Sequence, residues 1–147
     1  MAAVRALLAS ASDPITSLSA RTALVKPRLA PVDTLHSVLT TRSGRSGTLC
    51  VSFASEFRSG MNLEIVTTNG SVKVSPVDVV VNSKKGEERT EFARDSGVKA
   101  EVRAFAGAIG GKGDERLSPE EALRDLAILQ GLLESGEAGG AVQTVEG

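Results

Sequence analysis

From residue 15 to residue 92 the apolar side chains recur mostly at every second position, and from residue 98 onward at every third or fourth. A period of two belongs to strands and one of 3.6 to helices. Strands in one run and helices in the next, rather than interleaved, predict an α+β domain. The expected architecture is an open-faced, mostly antiparallel sheet of about six strands, with two C-terminal helices and a short N-terminal helix packed on one face. The N-terminal helix covers Ala2 to Ala9, with Val4, Leu7 and Leu8 on one side and Asp13-Pro14 stopping it. It starts without a capping residue, and a helix so short is marginal in water on its own.

The stretch ITSLSARTALV (15–25) places Ile15, Ser17, Ser19 and Arg21 on one side and Leu18, Ala20, Thr22 and Leu24 on the other. TLHSVLTT (34–41) reads as the second strand and TLCVSFAS (48–55) as the third. In the third, Leu49, Val51 and Phe53 share one face, and Thr48, Cys50, Ser52 and Ala54 the other. Asn69-Gly70 marks a hairpin within MNLEIVTTNGSVKVSP (61–76), and VDVVVN (77–82) and RTEF (89–92) follow as strands.

Val98, Val102, Phe105 and Ile109 then form a helical stripe, preceded by Asp95 and Ser96 as caps and ended by Gly110-Gly111. In RLSPEEALRDLAILQGLLESGEAG (116–139), Ser118 caps the last helix, Pro119 takes its first position and Glu121 completes a capping box. Ala122, Leu126, Leu129 and Leu133, widened by Leu123 and Leu132, are the stripe expected to face the sheet, and Gly136 or Gly139 ends the helix. Both helices are then used on one face, which leaves the side carrying Thr48, Cys50, Ser52 and Ala54 uncovered.

Composition removes several classes of function. With 17 basic against 18 acidic residues, the chain carries no nucleic-acid footprint and no polybasic membrane anchor. Arg42 and Arg45 sit among glycines in what reads as a solvated turn. Trp and Tyr are absent, so the core must be aliphatic. A single cysteine forbids an internal disulfide and fits a reducing compartment. The first residues lack the basic flank and apolar run of a signal peptide. No run approaches the roughly 20 apolar residues of a membrane span. The expectation is a soluble, cytoplasmic protein.

Chemistry is thin. GAIGGKGDE (107–115) leaves a helix rather than entering one, so it is a C-cap and loop and not a phosphate cradle. His36 is the only histidine, which excludes a paired-His or His-based metal site. Cys50 reads as a small buried thiol rather than a nucleophile, because no basic residue adjoins it in sequence. Glu87, Glu88 and Glu91 lie beside Lys84, Lys85 and Arg89 in a solvated hairpin. Glu120, Glu121 and Asp125 serve the last helix's dipole and can pair with Arg124 or Arg116. No catalytic, cofactor-binding or metal-ligating residue is assigned.

LSPEEALRDLAILQGLLESGEAGGAV resembles the C-terminal helix of the glucose–fructose oxidoreductase, inositol dehydrogenase and rhizopine-catabolism (Gfo/Idh/MocA) family. VKAEVRAFAGAIGG is similar to that family's preceding helix, and GTLCVSFASEFRSGMNLEIVTTNGSVKV to its long sheet strands and hairpin. The resemblances follow the family's order over most of residues 15–145. They imply that residues 1–147 are one C-terminal α+β domain of an NAD(P)-dependent oxidoreductase acting on a sugar- or polyol-type substrate. The N-terminal Rossmann domain, with its Glu-Lys-Pro lysine and its catalytic His or Asp, is expected to lie outside this chain. The chain is accordingly expected to begin a few residues past the catalytic His, to hold no NAD or NADP itself and to be inactive alone. The family also implies a homodimer through the open sheet face and substrate contacts from that face and its loops, for which His36, Ser52, Glu56 and Arg58 are the candidates. The alternative is a stand-alone, non-enzymatic binding or scaffolding module of the same fold.

Overall fold

The computed structural model describes residues 1–113 and 117–145. In chain order the elements are α1 (Ala2–Ser10), β1 (Ile15–Ala23), a 3-10 turn (Pro27–Leu29), β2 (Thr34–Thr41), β3 (Ser46–Ser52), β4 (Leu63–Thr67), β5 (Gly70–Val74), β6 (Asp78–Ser83), β7 (Gly86–Glu91), α2 (Val98–Ile109), α3 (Pro119–Glu137) and β8 (Gln143–Thr144). The fold is α+β and every strand pairing is antiparallel. The expected sheet of about six strands is instead two sheets of four among the described residues, β3-β2-β1-β8 and β4-β5-β6-β7. The reason is that strand 3 ends at Ser52, short of the predicted Ser55, and the next strand starts only at Leu63. The later hairpins therefore pair among themselves. Two compact units result, Met1–Ser55 with Ala104–Gly147, and Glu56–Arg103.

In the first unit, register fixes the two faces. Leu18, Ala20 and Thr22 lie opposite Leu39, Ser37 and Leu35, and the last two lie opposite Leu49 and Val51. This is the core face, with Leu49 and Val51 inward as predicted; Phe53, expected beside them, lies past the strand and is 75% exposed. Ile15 was expected on the opposite face with Ser17. A bulge between Ile15 and Ser17 shifts the phase, and Ile15 is buried with Leu18.

α3 covers this face, but of the predicted stripe only Leu132 is buried against it. Its buried residues are Ile128, Gly131, Leu132 and Ser135, whereas Leu123, Leu126, Leu129 and Leu133 are exposed. Small side chains win because the helix lies close to β1: a Cβ built on Gly136 would stand 2.4 Å from Thr22 Oγ1 and 2.6 Å from its Cγ2. Ser135 has a second role. β1 and β8 pair only at Ser17–Thr144 and Leu18–Gln143. One rung further, Ser135 Oγ accepts from the Ala20 amide at 2.8 Å and donates to the Ala141 carbonyl at 2.6 Å. Ser135→Ala leaves a buried amide without that partner, and we expect it to cost about 1–3 kcal/mol. The urea midpoint should fall with an unchanged slope.

Ser118 caps α3 as predicted, its hydroxyl accepting from the Glu121 amide at 3.2 Å. The other half of the box is redirected: the Glu121 carboxylate bonds Arg124 and Arg5. Arg116, the other partner proposed for these carboxylates, lies outside the described residues, as do Asp114 and Glu115 of the preceding loop. Gly139, with φ +65°, follows the end of α3. α2 also ends as read, with Gly111 at φ +76°, but its stripe is not buried: Val98, Val102, Phe105 and Ile109 are all exposed.

The second unit is a meander. Leu63 and Ile65, Val72 and Val74, and Val79 and Val81 share one of its faces, and no residue of the unit is buried. Its first hairpin turns on Thr68-Asn69, one residue earlier than read, so that Gly70 opens β5. Among the described residues no helix is long and apolar enough to cross a membrane.

Candidate functional site

The second face of the first sheet follows from the same register. Ser17, Ser19, Arg21 and Ala23 of β1 lie opposite Thr40, Val38, His36 and Thr34 of β2. These in turn lie opposite Ser46, Thr48, Cys50 and Ser52 of β3. The face is therefore mostly hydroxyl-bearing, with one row, Arg21–His36–Cys50, that carries different chemistry. All three residues of that row are exposed, so Cys50 is not the buried thiol the sequence suggested: its neighbours Leu49 and Val51 point to the core and carry it outward.

Two of the four predicted substrate residues meet here. His36 and Ser52 share this face, and the Ser52 hydroxyl is 3.0 Å from that of Thr34. Glu56 and Arg58 belong to the 53–62 connection and to the other compact unit, both exposed. Arg21 was not singled out from sequence. Its place opposite His36 depends on the register of β1 with β2, which alternation within one strand cannot supply. Its guanidinium lies close to the backbone turn at Gly139 and Gly140, so near that a Cβ on Gly140 would stand 2.8 Å from its Nε. Ser19 Oγ donates to the Gly140 carbonyl at 2.7 Å and ties the same turn to the face.

Most carboxylates of this unit that are held tightly serve the frame. Asp13, 5% exposed, accepts from the Thr41 and Ser43 hydroxyls at 2.8 and 2.6 Å, the Ser43 amide at 2.8 Å and Arg45 at 3.0 Å. The Ser43 hydroxyl is the largest cause holding its pKa far below the carboxylate range, against the opposing effect of burial. For Asp33, burial alone acts upward. The amides of Lys26 and Val25 and the Thr34 hydroxyl more than reverse it, and the net direction is down. Glu121 is lowered chiefly by its hydrogen bond to Arg5. Arg5 reaches Glu121 at 2.7 Å and Asp125 at 3.0 Å and so joins α1 to α3 across a cleft of about 110 Å³. Burial lowers the Arg5 pKa, but its bonds to Asp125 and Glu121 outweigh that and the net direction is up.

These shifts have one sign for the acids. A carboxylate whose folded pKa lies below its unfolded value, about 3.9 for Asp and 4.3 for Glu, stabilises the fold while ionised. That contribution is complete above about pH 5 and is lost as pH falls through 4 and below. We expect the urea midpoint to be flat between neutral pH and about pH 5 and to drop towards pH 3, with Asp13→Asn flattening the acid limb. An unchanged midpoint at pH 3 would contradict the arrangement of Asp13.

The first sheet is thus antiparallel, backed by a helix on one side and lined on the other by hydroxyls, an imidazole and a guanidinium. The C-terminal α/β domain model of the Gfo/Idh/MocA oxidoreductase family matches residues 4–144. The chain belongs to this family. It is 41% identical over 152 residues to Dehydrogenase FPY6 of Fusarium mangiferae, an alignment covering 99% of this chain and 44% of that protein. An oxidoreductase from Thermotoga maritima shares 25% identity and superposes with a TM-score of 0.79, covering 97% of this chain and 40% of its own. An Agrobacterium radiobacter oxidoreductase, solved with NAD+, L-tartaric acid and magnesium, superposes at 0.76 with 18% identity, covering 88% of this chain and 43% of its own. The chain thus spans less than half the length of each of these relatives.

Proposed function

We infer that this chain is the substrate-binding and self-associating domain of an NAD(P)-dependent oxidoreductase with a sugar- or polyol-type substrate. The observation that carries the reading is the hydroxyl-lined face with His36 and Arg21, in a chain 41% identical to a dehydrogenase. Alcohol and imidazole groups exchange hydrogen bonds with polyol hydroxyls, and a guanidinium orients an oxygen-rich ligand. His36 and Ser52 belong to this face, and Glu56 and Arg58 follow it in the chain.

A nicotinamide cofactor does not fit these residues. Among the described residues no strand leads through a Gly-x-Gly-x-x-Gly turn into a helix, and the glycines of 107–111 close α2 instead of opening one. The nucleotide would be held by the portion of the longer relatives outside the match. The work of this chain is to bind, orient and associate.

Association uses the centre of the same face, where Val38 is exposed between Ser19 and Thr48. A symmetric pair is the commonest solution for a self-complementary surface. Sedimentation at high micromolar concentration should show self-association that Val38→Arg weakens, and titration calorimetry with NAD+ and NADP+ should show no binding by this chain. A clean monomer would remove the interface, and tight nicotinamide binding the division of labour.

A further inference from the structure

The cleft of about 110 Å³ that Arg5 spans lies between α1, α3 and the start of β1, on the helical side of the first sheet. Every residue lining it belongs to the first compact unit. The Arg5 side chain is only 10% exposed. Two of its three nitrogens are spent within the protein. Nη2 donates to Glu121 Oε2 at 2.7 Å, and Nη1 to the Glu121 carbonyl and to Asp125 Oδ1, each at 3.0 Å. Nε is buried and has no acceptor among the described residues. A buried charged donor left without an acceptor is one of the costlier defects a fold can hold. The acceptors that line the cleft are largely engaged. The carbonyls of Leu8, Ala9 and Pro14 already accept from the amides of Asp13, Ser12 and Arg42. The Glu121 carboxylate is divided, with Oε2 taking Arg5 and Oε1 taking Arg124.

We propose that this cleft binds a short aliphatic monocarboxylate, whose carboxylate accepts from Arg5 Nε and from Arg124 while its tail lies on the apolar wall. The unspent polar groups are donors, so the ligand must bring the acceptors. The lining carries two guanidiniums, Arg5 and Arg124, against one carboxylate, Glu121, a surplus of one positive charge that a monoanion neutralises. Asp125 answers Arg5 from outside the lining, so a dianion such as phosphate would bring an excess of negative charge. The rest of the wall comes from Leu8, Ala9, Pro14 and Ile15, which suits a methylene chain and gives the outward oxygens of a phosphate no partner. A water meets Nε less well, because it needs roughly two to four polar partners of its own. Size sets the limit. An apolar cavity of about 150 Å³ holds a benzene ring, so about 110 Å³ has room for roughly five non-hydrogen atoms, the size of propionate. The site does not rest on the open-face reading above, since it lies on the other side of that sheet.

The test follows the Arg5 Nε–H signal in nitrogen-15 NMR spectra of the whole chain as sodium propionate is added. Sodium chloride at matched ionic strength, propionamide and inorganic phosphate are the other arms. The expected result is a saturable shift with a dissociation constant in the roughly millimolar range, as suits a ligand of about five non-hydrogen atoms. Propionamide and phosphate should bind at least about tenfold more weakly. Ala9 lines the cleft and is exposed, so Ala9→Leu should fill the site and abolish the shift while leaving the ion pairs of Arg5 in place. Arg124→Gln should weaken binding about tenfold, and backbone amide signals outside α1 and α3 that stay in place show that the variants are folded. A shift that grows linearly, or that sodium chloride reproduces, would mean an adventitious ion only and overturns the proposal. Equal affinity for propionamide or phosphate overturns the ligand class, and undiminished binding by Ala9→Leu overturns the site. Should Ala9→Leu fail to fold, Arg124→Gln decides: an unchanged affinity there overturns the proposal as well.

Discussion

Leu132→Ala should cost about 2–5 kcal/mol and lower the melting temperature by roughly 10 °C. Among the described residues the first unit buries six hydrophobic side chains, Ile15, Leu18, Ala20, Leu39, Ile128 and Leu132, and Leu132 has no exposed surface. Removing its branch opens a cavity against β1 that Met1, Val4, Leu8 and Val145, packed around the cluster only in part, are poorly placed to fill. For a domain with about 5–15 kcal/mol of total stability that is a large share. Leu123→Ala is the control. Leu123 is 67% exposed and belongs to the stripe that sequence alone would bury, yet its change should stay within about 0.5 kcal/mol. Equal losses from the two substitutions would show that the wrong side of α3 has been placed against the sheet.

The second large effect lies in the other unit. Gly70 opens β5 with φ +151°, and a Cβ there would stand 2.0 Å from the carbonyl oxygen of Asn82 on the neighbouring β6. Gly70→Ala must therefore displace β6 or give up the pairing, in addition to about 1–3 kcal/mol of backbone strain. A unit with no buried residue has little reserve to absorb this. The amides of β4 to β6 should lose hydrogen-exchange protection while those of β1 and β2 keep theirs. Gly86→Ala separates the two causes. Gly86 follows the corresponding two-residue loop with φ +111°, but nothing lies within 4 Å of an added Cβ, so only strain remains. Equal damage at both positions would mean that contact with Asn82 is not the reason for glycine.

What could be read in advance was chemistry that is local in sequence. The cap of α3 rests on a serine and an amide three residues apart, and the inward side of β3 rests on strict alternation through Leu49 and Val51. What could not be read depended on distance. Hydrophobicity favours the leucines of α3, but the close approach of the helix to Leu18, Ala20 and Thr22 favours Gly131, Ser135 and Gly136. The bulge at Ile15 changes the phase of one strand for the benefit of a core assembled from others. Arg5 carries no sequence signal of its role because its partners, Glu121 and Asp125, are more than a hundred residues away. Of the candidate site, His36 and Ser52 were named through the family resemblance, and their shared face, like the place of Arg21, required the register between strands.

The first unit is made from two ends of the chain with Glu56–Arg103 between them. Arg5 meets Asp125, Leu18 pairs with Gln143 and the Ala20 amide meets Ser135, whereas the β4–β5 and β6–β7 hairpins close through two-residue loops. During translation the hairpins can form within microseconds of leaving the ribosome. β1 to β3 cannot be roofed until α3 emerges nearly seventy residues later, an interval of roughly 3–13 s at usual elongation rates. Through that delay Leu18, Leu39 and Leu49 have no lid and stay open to a chaperone or a neighbouring nascent chain.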